Sequence, residues 1–343
     1  MNPIQYDNIS RPTLLIDPQR AHHNIQRMAE KASRAGVRLR PHFKTHQSAQ
    51  VGEWFRPYGI TAITVSSLDM AMYFARHGWS DILVAFSLNL RQIELVRQLS
   101  DTIRLGVLVE CSEHVEALAA VLSRSVDIWI KVDSGSRRTG LAWDNPEKIL
   151  LLARQIGQKQ NLNLRGLLTH AGETYHSQSP SEVIHRFQRS NQRMNAVRQF
   201  LEQNGVNGLE VSVGDTPGCS LSDEFEGVDE IRPGNFVFYD AQMTQLGACR
   251  EEDIAAVVAC PLVALHAERG EAVVYGGAIH LSKDTVQENG KAVYGWPVKL
   301  NETGWSPRIT SSAPPQASGS ARTCWNSRPV RPVRAPGPYA VSY

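Results

Sequence analysis

Residues 37–46 read VRLRPHFKTH, a short run that alternates apolar and basic residues and ends in a lysine between two histidines. A helical stretch from about Pro18 to Ala35 precedes it, so we predict a strand at Val37–Phe43. The same alternation recurs, with strands predicted at Ile60–Val65, Asp81–Phe86, Ile103–Glu110, Asp127–Asp133, Leu164–His170, Leu209–Val213 and Glu230–Phe238. Eight such strands predict an α/β fold, a closed (β/α)8 TIM-like barrel. An open doubly wound sheet shows the same alternation and stays the alternative.

The alternation stops at both ends of this region. One strand, residues 13–17, comes before the first helix and is surplus to the eight. Beyond the last of the eight, Ile254–Leu265 and Glu271–Ile279 are predicted strands with few helices between them. We therefore predict a barrel over residues 11–240 and a smaller β domain over 241–306, with strand 13–17 packing on that β domain.

The composition changes again at about Pro307. From there to Tyr343 the chain has no Asp, Glu, Lys or His and is rich in Pro, Arg and Ser. Such a segment lacks the apolar periodicity of a packed element, so we predict a disordered tail at 307–343. The β domain is then incomplete, as a shift of the reading frame near codon 306 would leave it.

Composition excludes several classes of protein. The 343 residues carry a net charge of +2 with both signs interspersed, which gives no basic stripe for nucleic acid. No run of about 18 apolar residues predicts a membrane span, and the N-terminus lacks the pattern of a signal peptide. The five cysteines form no CxxC pair, which favours a reduced, cytoplasmic compartment.

Lys44 is the first candidate for chemistry, because active sites of such barrels lie at the carboxyl ends of the strands. A lysine partly removed from water there can lose its proton and attack an aldehyde as a free amine. An ordinary solvated lysine at a loop start is the alternative. His42 and His46 have HxxxH spacing, but on a strand that spacing does not favour a shared metal.

Other predicted strand ends carry polar and glycine-rich turns. The turn KVDSGSRRTG at 131–140 presents Arg138 to an anion or a phenolate oxygen, and HAGETY at 170–175 offers an imidazole and a phenol. Strands 7 and 8 lead into VGDTPG at 213–218 and RPGN at 232–235, where glycines expose backbone N–H groups. Loops after strands 7 and 8 are the usual phosphate site of this barrel, so we predict an anion site there.

These segments resemble the D-serine dehydratase and D-threonine aldolase family of pyridoxal 5'-phosphate (PLP) enzymes, which has an alanine-racemase-like barrel of fold type III. The resemblance covers roughly Arg11 to Trp305 and rests on PHFKTH, KVDSGSRRTG, HAGETY, VGDTPG, EIRPGNFVFYD and GGAIHLSKD. It implies that Lys44 forms the internal aldimine and then acts as the general base. It also implies that Arg138 approaches the ring's phenolic oxygen and that His170 and Tyr175 line the ring or the substrate. The residues it implies for the phosphate are Gly214, Thr216, Gly234 and Asn235.

The family chemistry implies a lyase acting on small D-3-hydroxy amino acids, with D-serine dehydratase-like elimination ahead of D-threonine aldolase-like C–C cleavage. An amino-acid racemase and a non-catalytic PLP-binding pseudoenzyme are the alternatives. The resemblance also implies a divalent metal, held by a His and a Cys or Asp near the C-terminus. The last histidine here is His280, so these ligands are missing from the sequence. Relatives of this fold imply a homodimer.

Overall fold

The computed structural model describes residues 8–266, 268, 271–277, 279–282, 284–301, 304–308 and 339–342. Contacts divide the chain into two units, one formed by Ile25–Phe236 and the other by the segments before and after it. The boundary falls within the first helix, α1.

Helices and strands alternate through the first unit, whereas strands predominate after it. The helices are α1 (Pro18–Arg34), α2 (Ala49–Glu53), α3 (Leu68–Arg76), α4 (Ile93–Ser100), α5 (Ser112–Val121), α6 (Pro146–Gly157), α7 (Pro180–Gln203), α8 (Thr216–Leu221) and α9 (Ala241–Gln245). The strands up to residue 231 are β1 (Thr13–Ile16), β2 (Arg38–Leu39), β3 (Ala62–Val65), β4 (Asp81–Ser87), β5 (Arg104–Val109), β6 (Val126–Asp133), β7 (Leu141–Ala142), β8 (Leu162–Leu168), β9 (Glu210–Val213) and β10 (Glu230–Ile231). Later strands are β11 (Ala256–Cys260), β12 (Leu262–His266), β13 (Glu271–Val274), β14 (Val286–Glu288), β15 (Lys291–Val293), β16 (Trp296–Asn301), β17 (Gly304–Arg308) and β18 (Tyr339–Ser342).

The unit Ile25–Phe236 is a nearly closed parallel barrel. Its eight strands follow the order β2-β10-β9-β8-β6-β5-β4-β3, and short β7 pairs with β6 outside this path. A parallel bridge between His42 and Thr64 joins the chain after β2 to β3 and brings the two ends of the sheet together. This bridge decides between the two predicted architectures: the barrel is confirmed, and the open doubly wound sheet is wrong.

Two barrel strands are shorter than predicted because prolines interrupt them. β2 ends at Leu39, before Pro41, and β10 ends at Ile231, before Pro233. Proline has no N–H to give to a ladder, so regular pairing stops at such positions. The neighbouring groups continue the bonding, since the His42 N–H donates to Pro233 O at 2.9 Å. The predicted strand Glu230–Phe238 therefore turns after two residues into a 3-10 helix at Asn235–Val237.

Ion pairs form at the amino ends of β4 and β10, whose first residues are Asp81 and Glu230. Arg40 contacts Glu230 at 2.8 Å and Asp81 at 2.6 Å, and Glu230 is only 1% exposed. Burial alone would lower the pKa of Arg40, but the two carboxylates outweigh it and raise that pKa further above its ordinary value. The amino end of the barrel is therefore filled by an ion-pair network. A ligand site is expected at the opposite end, where the strands finish.

The second unit is built around a five-stranded sheet of order β1-β11-β18-β16-β17. β1 runs antiparallel to β11, with Thr13 opposite Ala259. Val257, Val298 and Trp305 are buried in its core cluster. The hairpins β12–β13 and β14–β15 form two further pairs.

The tail predicted to be disordered lies mostly outside the described residues, at 309–338. At its end the structure differs from that prediction, because β18 pairs with both β11 and β16. The four residues of β18 pair with the open edges of two strands there, which no local pattern in the sequence indicated.

Among the residues that the structure describes, no helix is long and apolar enough to cross a membrane.

Candidate active site

A cavity of about 580 Å³ lies in the unit Ile25–Phe236 at the carboxyl ends of the barrel strands. Six of the residues predicted for the site line it: Lys44, Arg138, His170, Tyr175, Gly234 and Asn235. The other two, Gly214 and Thr216, hold lining residues by hydrogen bonds described below. The structure therefore brings all eight predicted residues to one end of the barrel.

Lys44 follows β2 at the mouth of the barrel. Its backbone N–H donates to His42 Nδ1 at 3.4 Å, and its Nζ makes no hydrogen bond or ion pair with the described residues. Burial in the mouth lowers the pKa of Lys44, and the guanidinium groups of Arg138 and Arg232 lower it further. A lysine of this kind has an increased fraction of neutral, nucleophilic amine.

His170 is a neutral imidazole with an assigned tautomer. Its Nδ1 lies within hydrogen-bond distance of Gly214 O. Because a carbonyl oxygen only accepts, Nδ1 carries the hydrogen and Nε2 keeps its lone pair. Burial lowers the pKa of His170 to about 3, although the bond to Gly214 opposes this. The ring centroid of Tyr175 lies 6.0 Å from that of His170.

The two glycine-rich loops are bonded to each other and to Tyr175. The Asn235 N–H donates to Thr216 Oγ1 at 3.0 Å, and the Thr216 N–H donates to Tyr175 Oη at 3.1 Å. A Cβ on Gly234 would lie 2.8 Å from His42 O, and one on Gly214 would lie 2.9 Å from Arg232 O. Both contacts are too short for a side chain, so these loops need glycine for a close backbone approach.

The loop that carries Arg138 is held from two sides. Asp133 Oδ1 accepts hydrogen bonds from the N–H groups of Gly135 and Arg137 at 2.9 and 3.0 Å. From α7, Arg193 donates to Ser134 O at 2.6 Å and stacks over the ring of Trp143 at 4.7 Å. The turn 133–140 is thus anchored on both sides of the segment that presents Arg138.

Three further ionisable residues line the cavity that the sequence did not single out: Lys131, Asp215 and Arg232. Burial lowers the pKa of Lys131 to about 7 and that of Arg232 to about 10, and it raises the pKa of Asp215 to about 7. Each lies inside a segment already quoted for its motif. The sequence does not show that these three side chains point into the cavity, because their direction depends on where the neighbouring strands lie.

The contacts of His46 are those of a core histidine and do not favour a metal shared with His42. Its Nδ1 accepts from the Ser48 N–H at 3.1 Å, and its Nε2 is buried without a hydrogen-bond partner in the described part of the chain. The ring packs against Phe43 at a centroid distance of 4.5 Å. Burial lowers the pKa of His46 to about 4, as expected for a core histidine. Over the described ranges, no group of three or more His, Cys, Asp or Glu is arranged to hold a metal ion.

Comparisons with known proteins identify relatives of this chain. A family model described as "Alanine racemase, N-terminal domain" matches residues 16–242. D-threo-3-hydroxyaspartate dehydratase of Delftia sp. (strain HT23) is 31% identical over 292 residues, covering 84% of this chain and 77% of the relative. D-serine dehydratase of Dictyostelium discoideum is 28% identical over 298 residues, covering 81% and 75%.

Two more comparisons bear on fold and reaction. A solved structure of the Delftia enzyme superposes with a TM-score of 0.81 at 30% identity, over 90% of this chain and 84% of that one. D-threonine aldolase of Arthrobacter sp is 24% identical over 237 residues, covering 68% of this chain and 62% of the relative.

Proposed function

The chain belongs to the alanine racemase N-terminal domain family, and from that membership we propose a PLP-dependent lyase that removes the β-hydroxyl of D-3-hydroxy amino acids. Relatives of the chain are enzymes of this type, named dehydratases and aldolases. PLP is the cofactor expected for the family. The observation that carries the proposal is the position of Lys44, which lines the barrel-mouth cavity together with Arg138, Gly234 and Asn235.

The residues present fit PLP. Lys44 offers a nitrogen that makes no hydrogen bond within the described residues, and the cavity of about 580 Å³ has room for a small aromatic ring with an amino acid. Gly214 and Gly234 leave no room for a Cβ, so the loops that contain them approach each other and the barrel closely. Gly214, Thr216, Gly234 and Asn235 would hold the phosphate, and Arg138 would contact the phenolic oxygen.

When bound, the cofactor supplies an electron sink that stabilises negative charge at the substrate Cα. Lys44 would take the proton from Cα, because the lowered pKa of its amine increases the fraction of neutral base. His170 stays neutral at working pH and offers the Nε2 lone pair as a hydrogen-bond acceptor to the substrate. Tyr175 accepts a hydrogen bond from the Thr216 N–H and would orient the loop that holds the phosphate.

Elimination and cleavage differ in which bond breaks next to Cα. A dehydratase loses the Cα proton and the β-hydroxyl, whereas an aldolase breaks the Cα–Cβ bond after deprotonation of that hydroxyl. The two relatives of highest identity reported above are dehydratases, which favours elimination. An aldolase is the second candidate because D-threonine aldolase is also a relative. A racemase would require a second base opposite Lys44.

A metal is suggested by a relative alone. A variant of a D-threo-3-hydroxyaspartate dehydratase has a solved structure described as the metal-free form. The described residues of this chain offer no group of three or more His, Cys, Asp or Glu that fits a metal. The cytoplasmic location and the homodimer stay predictions from the sequence.

The test is cofactor loading followed by borohydride reduction and peptide mapping. We expect a visible band that borohydride abolishes and a reduced adduct on Lys44. Lys44→Ala should lose the band and at least about 10²-fold in activity, with an unchanged circular dichroism spectrum. Lys131→Met, which removes the other cavity lysine, should retain the adduct on Lys44.

Product analysis then identifies the reaction. Pyruvate and ammonia from D-serine indicate elimination, and glycine with an aldehyde from D-threonine indicates cleavage. Exchange of the Cα hydrogen without either product indicates a racemase. Absence of any adduct on Lys44 in the folded wild-type protein would refute the proposal.

A further inference from the structure

Asp215 is a buried carboxyl group between β9 and α8 that the mechanism above does not use. It is 2% exposed and lines the same cavity as Lys44. It stands between Gly214 and Thr216, two of the residues proposed to hold the cofactor phosphate. A negative charge at this position would lie directly beside a bound anion.

Only one of the two carboxyl oxygens of Asp215 has hydrogen-bond partners among the described residues. Its Oδ1 accepts from the Gly218 N–H at 2.6 Å and contacts Thr174 Oγ1 at 2.8 Å. Its Oδ2 is buried and has no hydrogen-bond partner in the described part of the chain. A buried carboxylate normally has donors at both oxygens, and leaving one without a donor disfavours the ionised form. The geometry therefore favours the neutral acid.

Thr174 supports the same protonation state. Its Oγ1 lies 2.9 Å from Ala171 O and 2.8 Å from Asp215 Oδ1, both of which accept hydrogen bonds. One hydroxyl has a single hydrogen and can serve only one of them. A proton on the carboxyl group supplies the second hydrogen.

The titratable groups around Asp215 do not neutralise a negative charge by direct bonding. Arg232 after β10 and Cys219 on α8 interact with Asp215 itself, and Lys31 on α1 acts on Cys219. His170 after β8 and Tyr175 in the following 3-10 helix bond to its chain neighbours Gly214 and Thr216. Arg232 attracts the carboxylate at a distance, but its own donors go to Ser212 Oγ at 2.7 Å and to the Thr169 carbonyl. From α7 the facing side chain is apolar, since Phe187 would meet a Cβ on Gly218.

We propose that Asp215 must be protonated for the cofactor phosphate to bind in the loops of Gly214, Thr216, Gly234 and Asn235. This inference rests on the proposed function, because it needs a phosphate in these loops. The donors there are neutral backbone and side-chain groups, so none of them offsets an additional carboxylate. Two anions in one buried site repel each other, and protonation of Asp215 removes the repulsion.

The direction of the resulting pH dependence follows from linkage. Burial raises the pKa of Asp215 to about 7, despite the bonds from Gly218 and Thr174 and the attraction of Arg232. Above that pH the cofactor-free protein loses the proton, and phosphate binding must restore it. The affinity for PLP therefore decreases by about tenfold per pH unit relative to a variant whose residue 215 is always neutral.

The experiment measures the dissociation constant of PLP between about pH 6 and pH 9 for wild type, Asp215→Asn and Asp215→Ser. Asn and Ser both serve as helix N-caps and carry no charge. The ratio of wild-type to variant constants cancels the titrations of Lys44 and of the cofactor, which all three proteins share. Pyridoxal, which lacks the phosphate, is the matched control ligand.

We expect the ratio for PLP to rise by about tenfold per pH unit above pH 7 and the ratio for pyridoxal to stay flat. A flat ratio for PLP, or an equal rise for pyridoxal, overturns the proposal. Should Asp215→Asn fail to fold, Asp215→Ser provides the same comparison. Failure of the proposed function has a different signature: wild type would form no reducible adduct with PLP at any pH.

Discussion

At the scale of single residues, two lysines share the cavity, and their surroundings give them different tasks. Lys44 follows β2 at the mouth, where its nitrogen makes no hydrogen bond within the described residues. Lys131 lies within β6, is 6% exposed, and has its pKa lowered to about 7 by burial beside Arg232 and Arg138. This difference in surroundings supports the proposal that Lys44, and not Lys131, carries the cofactor.

The glycine at position 234 gives a prediction for cofactor affinity. Gly234→Ala would place a Cβ 2.8 Å from His42 O, which forces the loop outward. We expect the PLP dissociation constant to rise by about tenfold or more, as for the loss of one or two hydrogen bonds to a charged group. Fluorescence titration measures it.

The control for this change is Gly157→Ala at the end of α6, where a Cβ meets nothing within 4 Å. Equal affinities for the two alanine variants and wild type would contradict a phosphate-holding role of the 234 loop.

His46 gives a prediction for stability against pH. Burial lowers its folded pKa to about 4, whereas an unfolded histidine titrates near its ordinary value. The folded state thus binds fewer protons, so stability is complete above about pH 6.5 and decreases by about 1.4 kcal/mol per pH unit as the pH falls toward 4. His46→Phe should remove this share of the slope in chemical unfolding.

The exposed His185 on α7 provides the comparison. His185→Phe should leave the slope as in wild type, and a wild-type slope in His46→Phe would show that His46 is not linked to acid unfolding.

At the scale of elements, α7 fixes the loop between β6 and β7. Ser190 Oγ and Ser134 Oγ are 2.7 Å apart, and Ser134 Oγ lies 2.9 Å from Thr169 Oγ1 of the chain after β8. Arg193 adds the bond to Ser134 O and the stack on Trp143. A helix thus holds the turn that presents Arg138, without itself contributing a residue to the cavity lining.

Arg193→Ala should loosen this turn. We expect a loss of about 1–2 kcal/mol in unfolding free energy from one charged hydrogen bond and one cation–π contact. The visible band of the bound cofactor should also change its pH midpoint, because the turn that carries Arg138, the residue proposed to contact the phenolic oxygen, is then less firmly placed. Arg193→Lys keeps the charge without the planar stack, so its unfolding free energy should lie between those of wild type and Arg193→Ala.

Arg154→Ala on α6 is the matched control, since Arg154 bonds only to Asn204 O among the described contacts. If Arg193→Ala lowers the stability but leaves the pH midpoint of the visible band unchanged, α7 supports the fold and does not position Arg138.

At the scale of the whole molecule, the two ends of the barrel carry different kinds of side-chain contacts. The amino end carries the ion pairs of Arg40 with Glu230 and Asp81. The carboxyl end carries the cavity. Ser212 connects them, because it donates to Glu230 Oε1 at 2.7 Å and accepts from Arg232 Nε at 2.7 Å.

Arg40→Met tests the amino end. Removing the cation leaves Glu230, 1% exposed, without its closest cationic partner. The expected cost is about 3–5 kcal/mol of unfolding free energy, measured by denaturant titration. Arg40→Met with Glu230→Gln should recover much of that loss, because no buried charge then stands unpaired. Arg97→Ala, at an exposed ion pair, should leave the unfolding midpoint nearly unchanged.

Local patterns in the sequence determined the order of the elements and the position of Lys44. Strand and helix periods repeat within a few residues, and a lysine or a glycine turn after a strand is visible in the letters alone. The prolines at 41 and 233 were equally visible, yet the strands around them were predicted too long. A pattern of apolar residues does not show which N–H groups a ladder must use.

Tertiary structure alone decided the rest. Barrel closure depends on His42 meeting Thr64, and the strand at 339–342 depends on two open edges far back in the chain. The shifted pKa values of Asp215 and Lys131 likewise follow from burial, which Arg232, after β10, opposes at Asp215 and reinforces at Lys131. Charge and desolvation act through space between residues distant in sequence, so no window of neighbouring letters contains them.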